Sequence, residues 1–282
     1  MNAFLQMFAY PFMVNALEAG TIVAIVAGVI GWFMVLRKQT FAGHALAVVG
    51  FPGAAGATLL GLNVAWGYFG FCIAAAAAIA LLPGPPGAAR SEESAITGTV
   101  QAFALACGFL FVSLYHGYLN GINALLFGSF LGISSGQVAI LAVVGIASLA
   151  ALASIGRPLL FASVDSRVAS AGGVPVQALS VVFLLLLGAA VAEASQITGT
   201  LLVFALLVAP AATAQLLTAR PAVGLVLSPL IALGVTWAGL GLAYYVPYPI
   251  GFFITTLAFG AYLAARLATS GFVRRRLPGR PE

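Results

Sequence analysis

The chain has 282 residues, of which 62% are apolar and only 6% charged, where an ordinary soluble domain carries about a quarter charged residues; a water-soluble globule is excluded. Its net charge of +5 comes from 11 Lys and Arg against 6 Asp and Glu, too sparse and too dispersed between apolar runs to form a nucleic-acid surface. Cys72 and Cys107 both sit inside apolar runs and read as core residues, with neither the number nor the spacing of a disulfide framework or a metal knuckle.

The first apolar window covers residues 16–36. No basic residue precedes Arg37, so this window lacks the positive flank of a secretory signal and is expected to stay as a span. Further windows follow at 43–62, 64–82, 95–114, 137–155, 176–194, 198–217, 222–243 and 249–268, each near the ~20 apolar residues that cross a bilayer. None shows the alternation of a barrel strand, and in lipid a helix pairs every backbone group within its own segment. The predicted fold is all-α, a polytopic membrane helix bundle with about nine transmembrane helices over residues 1–270, followed by a basic tail at 271–282.

The connections carry the charge. Arg37 and Lys38, Arg90, Arg157 and Arg167, Arg220, and then Arg266, Arg274, Arg275, Arg276 and Arg280 all fall on one side of such a bundle. Basic residues concentrate in short cytoplasmic loops, which predicts a multi-pass plasma-membrane protein with its N-terminus outside and its C-terminus in the cytoplasm. PGPPGAARSEES (83–94) is a turn-forming loop, YHGYLNGINALLFGSFLGIS (115–134) is apolar and Gly-rich enough for a re-entrant or interfacial segment, and RPLLFASVDSRVASAGGVPVQ (157–177) is polar enough to hold a short cytoplasmic helix. Small residues at Gly20, Ala24 and Gly28, and at Gly50, Gly53 and Gly56, suit close helix packing in lipid.

An ionisable group at mid-bilayer costs roughly 2.5–3.5 kcal/mol on insertion scales, so those inside spans are candidates for function. Glu18 lies near the outer start of the first span, His44 near the start of the second, and Glu193 at the outer end of the sixth. His44 is a candidate pathway ligand, because a neutral imidazole binds transition metals and tolerates a low-dielectric site; the alternative is a histidine hydrogen-bonded to a neighbouring helix. Glu18 and Glu193 are candidates to draw a cation into the outer mouth, the alternative being solvation among headgroups. His116, close to Tyr115 and Tyr118, reads as an aromatic-belt residue. Asp165 is either a helix N-cap or a partner contact.

Enzyme signals are weak. GISSG (132–136) matches Gly-x-Ser-x-Gly, but that elbow works on an α/β sheet, which this pattern does not contain. There is no His-Glu-x-x-His, and Lys38 in LRKQT is the sole lysine, so a Gly-x-x-x-x-Gly-Lys phosphate loop is absent. The chain is expected not to be an enzyme, and ATP-driven work would need a separate ATPase. The alternative, a self-sufficient secondary carrier or channel, would use broken helices around a midplane site, and the scarcity of membrane carboxylates for ion coupling argues against it.

TGTLLVFALLVAPAATAQLLT (198–218) carries Gly-x-Leu-Leu-Val-x-Ala-Leu-Leu and then Pro-Ala-Ala-Thr-Ala. VLRKQTFAGHALAVVGFPGAAGA (35–57) carries a basic pair, Phe-x-Gly, Ala-Leu and a later Pro-Gly, and FASVDSRVASAGGVPVQ (161–177) an acidic residue, small residues and Gly-x-Pro. Together with weaker echoes at 92–108, 125–134 and 244–259, these segments resemble, in order, the ABC-3 family of permease subunits from ATP-binding-cassette importers of zinc, manganese and iron. The resemblance implies a subunit that homodimerises around a translocation path in membrane lipid and receives a divalent metal ion, zinc or manganese, from an extracytoplasmic binding protein. A cytoplasmic ATPase subunit would spend the ATP, and no cofactor would reside in this chain. Asp165, Arg167, Gly172, Gly173 and Pro175 match the region by which such permeases couple to their ATPase. Many members read Phe-x-Gly-Asp-Ala-Leu-Ser-His, an Asp and a His four residues apart on one helix face and able to hold a metal together. Here His44 stands at the Asp position, Ala47 and Val48 replace Ser and His, and Pro247 stands where an acidic residue is common. A dimer would bring two His44 side chains to one path.

Overall fold

The computed structural model describes residues 7–82, 90–115 and 132–276. The helices are α1 (Pro11–Leu36), α2 (Thr40–Leu59), α3 (Val64–Leu81), α4 (Arg90–Leu114), α5 (Ser135–Val164), α6 (Ser166–Ala171), α7 (Val176–Leu217), α8 (Pro221–Tyr245) and α9 (Ile250–Arg276). No strand occurs among the described residues. His116 and most of 115–134, most of the 83–94 loop and the end of the basic tail lie outside them.

The ends of these helices follow from their residues. Pro11 occupies the first turn of α1, where its missing N–H costs nothing. Asn63 caps α3 by accepting from Ala65 N at 2.9 Å. Three helices close alike: the N–H of Gln39 reaches Met34 O, that of Leu62 reaches Ala57 O, and that of Val174 reaches Ala169 O. Each closure places one residue in the left-handed region, Lys38 (φ 60), Gly61 (φ 68) and Gly173 (φ 82) respectively, which is the Schellman arrangement for pairing orphan carbonyls.

Eight of the described helices are long and apolar enough to cross a membrane, and Leu202–Leu217 is a shorter apolar helix. The nine predicted windows are thus all helical, but two of them join in α7, which breaks at Gly199 (φ 73, ψ 163). Contacts with α1 show what the break does. Phe183 packs on Phe33 with ring centroids 6.4 Å apart, and Glu193 lies beside Val26 across Gly145. After the break Leu207 abuts Gly31, and Gln215 donates to Trp32 O at 3.0 Å. The chain therefore runs along α1 in one direction up to Gly199 and returns along it afterwards, so α7 is a folded pair of arms.

This folded helix, with α1 and α2, forms the centre of the bundle, while α4 and α9 are mostly exposed. Phe103, Phe109 and Leu110 on α4 and Phe252, Phe259 and Leu267 on α9 point outward, as suits lipid-facing surfaces. Small residues let the inner helices touch: Gly53 of α2 and Gly67 of α3 bring backbone against backbone, and Ser228 of α8 donates to Gly28 O of α1 at 2.7 Å. In lipid these contacts replace the hydrophobic drive between helices.

Candidate functional site

At one end of the bundle gather Arg37, Lys38, Arg167 and the short helix α6. Asp165 is the N-cap of α6, its Oδ1 accepting from Arg167 N and Val168 N, both at 3.0 Å. Gly172 and Gly173 close it, and Pro175 opens α7. Of the residues in α6 only Ala169 is buried; Asp165, Arg167, Gly172, Gly173 and Pro175 are all exposed. The predicted short helix is present, and it protrudes as a capped, surface-facing element.

Behind α6 lies a cleft of ≈ 1170 Å³ whose lining includes Arg37, Gln39, Arg167, Ser170, Gln177 and Ser180. Arg37 crosses it. Its Nη1 donates to Ser163 Oγ at 3.2 Å and its Nη2 to Ser180 Oγ at 2.6 Å, while the guanidinium stands 5.3 Å from the centroid of the Phe183 ring, within cation–π range. In the sequence Arg37 is a topological charge and half of a basic pair. Its signal was the basic pair at the α1–α2 turn, but its partners come from α5 and α7 and could not be read locally.

His44 sits one turn into α2, half-buried, as is Val48 one turn further on. Its ring meets Phe204 of the returning arm edge-on, with centroids 4.9 Å apart. No group of three or more His, Cys, Asp or Glu is placed to hold a metal among the described residues.

Glu193 and Glu18 lie elsewhere, on the seam between α1 and α5. Glu18 is exposed and lines a cleft of ≈ 460 Å³ with Thr21, Ile22, Val138 and Trp237. Trp237 Nε1 donates to Thr21 Oγ1 at 2.9 Å. Glu193 is 1% exposed, and neither carboxyl oxygen has a hydrogen-bond partner among the described residues. Solvation of Glu193 among headgroups is therefore ruled out by its burial. The structure brings Glu18 and Glu193 onto one seam and leaves His44 on another face.

Ser134 of GISSG is spent on helix capping. Its Oγ accepts from Gln137 N at 3.3 Å, and Gln137 Oε1 accepts from Ser134 N at 2.9 Å, a reciprocal capping box. Among the described residues no strand lies beneath it for an elbow.

The sequence matches the model of the ABC 3 transport family over residues 9–269. It is 34% identical over 263 residues to the chelated iron transport system membrane protein YfeC of Yersinia pestis, covering 93% of this chain and 87% of that one. It is 31% identical to the manganese transport system membrane protein MntC of Halalkalibacterium halodurans, covering 87% of this chain and 82% of that one. Among solved structures, PsaBC from Streptococcus pneumoniae in complex with Fab aligns with a TM-score of 0.81 at 28% identity, over 93% of each chain.

Proposed function

Because the chain belongs to the ABC 3 transport family and is a multi-pass membrane permease, we propose that it forms the path of an importer for a divalent transition metal, driven by a separate ATPase. Manganese is the cargo best supported, since several relatives are named for manganese transport, and iron, for which another is named, is the runner-up. Two copies pair around the path, a cytoplasmic ATPase engages each, and an extracytoplasmic metal-binding protein delivers the ion. The chain itself hydrolyses nothing.

One observation carries this reading: α6 is a short, capped and exposed helix set between two long spans. Such an element offers a rigid handle. Asp165 and the Gly172–Gly173 closure hold its shape without help from a partner, and Arg167 presents a charge beside it. The basic end of the bundle is then cytoplasmic, where short loops gather Lys and Arg, and the end holding the α2–α3 turn faces outward.

His44 supports a pathway role through its half-buried ring on α2. Two protomers meeting along this face would pair their imidazoles, which suit first-row transition metals. His44→Ala is expected to lower metal uptake about tenfold, equal to an interaction of ~1.4 kcal/mol, in a complex that still assembles. Unchanged uptake would make the ring a packing partner of Phe204 only.

The test of the function is ATP-dependent manganese uptake by the chain and its ATPase in proteoliposomes. Uptake by the isolated chain without ATP would favour a self-sufficient carrier, and normal manganese, iron and zinc content in a deletion strain would remove the import reading.

A further inference from the structure

The α1–α5 seam holds an arrangement that the coupling reading does not use. Glu193 is a buried carboxyl with two unpartnered oxygens, and burying such a group unpaired is expensive. Across Gly145 it faces two aliphatic side chains, Val26 and Ile22. A Cβ built on Gly145 would stand 3.0 Å from Val26 Cγ2, 3.1 Å from Glu193 Oε1 and 3.2 Å from Ile22 Cγ2. The absent side chain of Gly145 is thus what makes room for the carboxyl.

Ile22 belongs to two places at once. It stands beside the Glu193 carboxyl and also lines the open cleft that contains Glu18. On α1, Glu18, Ile22 and Val26 follow at four-residue spacing and share a face. On α5, Val138 lines the same cleft seven residues before Gly145, a rise of about 10 Å. An exposed carboxylate, one aliphatic side chain and a buried carboxyl therefore follow one another along the α1–α5 seam, the open cleft ending at Ile22.

We propose that Glu193 is an interior cation-binding station, supplied from the Glu18 cleft past Ile22 and separate from the His44 face. The cation is one that a lone carboxyl can take, a proton or a divalent metal ion. Glu18 collects it in the open cleft, Ile22 closes that cleft, and the unpartnered oxygens of Glu193 receive it. This inference rests on the import reading only for the identity of the metal.

The test uses the purified permease–ATPase complex with Mn²⁺ as the metal probe. Bound Mn²⁺ is counted by electron paramagnetic resonance, and the carbonyl stretch of a protonated carboxyl is followed by infrared difference spectroscopy, in the native chain and in Glu193→Gln. Loss of one bound Mn²⁺ per chain assigns a metal, and loss of one protonated-carboxyl band assigns a proton; either result supports the station. An assembled complex in which neither signal changes overturns it. Gly145→Ala, which presses a methyl group onto Oε1, is expected to weaken whichever signal is found about tenfold. With Cys107 replaced by Ala, Ile22→Cys is expected to react with a membrane-impermeant thiol reagent from the Glu18 side, and absence of labelling overturns the route. ATP-driven Mn²⁺ uptake by the native complex reads the import function independently. If uptake is normal and Glu193 is silent, the station alone falls; if uptake is absent and the Glu193 signal persists, the import reading falls.

Discussion

Asp165 and Gly173 hold α6 from opposite ends by different means. The carboxylate accepts two backbone N–H groups of the first turn, and the glycine supplies a left-handed backbone at φ 82. Asp165→Ala is expected to cost about 1 kcal/mol, the usual loss for an N-cap, read as a lower unfolding midpoint in detergent. Gly173→Ala is expected to cost a further ~1 kcal/mol from the Cβ clash in that region; an unchanged midpoint would show that the closure adjusts freely. The cap was legible in the sequence because Asp-Ser-Arg-Val follows an apolar run and precedes Gly-Gly. Lys38 was not legible in the same way, since it adopts φ 60 without the glycine that would announce it. Nor was the neighbour of His44, because Phe204 reaches it only through the return of α7.

Among the elements, α7 departs furthest from what a hydropathy pattern can express. Windows at 176–194 and 198–217 point to two spans, but the short polar junction SQITGT (195–200) forms no loop: it stays helical except at Gly199, the second residue of the later window, where the chain turns. A reversal inside protein needs no water-facing loop when surrounding helices satisfy its backbone. Thr198, whose Oγ1 donates to Ala194 O at 2.9 Å, serves that purpose just before the break. Gly199 occupies a region of φ and ψ that is essentially restricted to glycine, so Gly199→Ala is expected to cost roughly 1–3 kcal/mol. The measurement is the fraction of folded chain recovered by gel filtration, and wild-type recovery would mean that the arms tolerate another turn. The same reversal explains Glu193. A carboxyl at the end of an apolar window is indistinguishable in sequence from one in headgroup water, until α1 and α5 are packed around it.

For the whole molecule, helix content and the distribution of charge were legible early, because a chain with 6% charged residues has few places to put them. Arg37, Arg167 and Arg220 lie at helix ends or in connections of the folded bundle. A reporter fused after Glu282 is expected to register cytoplasm, and one inserted between Leu60 and Asn63 the exterior; the reverse pair of signals would invert the proposed route of transport. What composition could not convey is which helices lie inside. α1, α2 and α4 are similarly oily as text, yet α1 and α2 are enclosed while α4 presents Phe103 and Phe109 outward, a difference created by tertiary neighbours.

The fork of Arg37 has a mechanical consequence. Ser163 and Ser180 lie on the two stems that flank α6, and one guanidinium grips both. A push on that small helix cannot swing one stem as a hinge without tearing the grip. On the proposed coupling role, the load is expected to pass instead through this common clamp into the corner where α1 turns into α2, a few residues before His44.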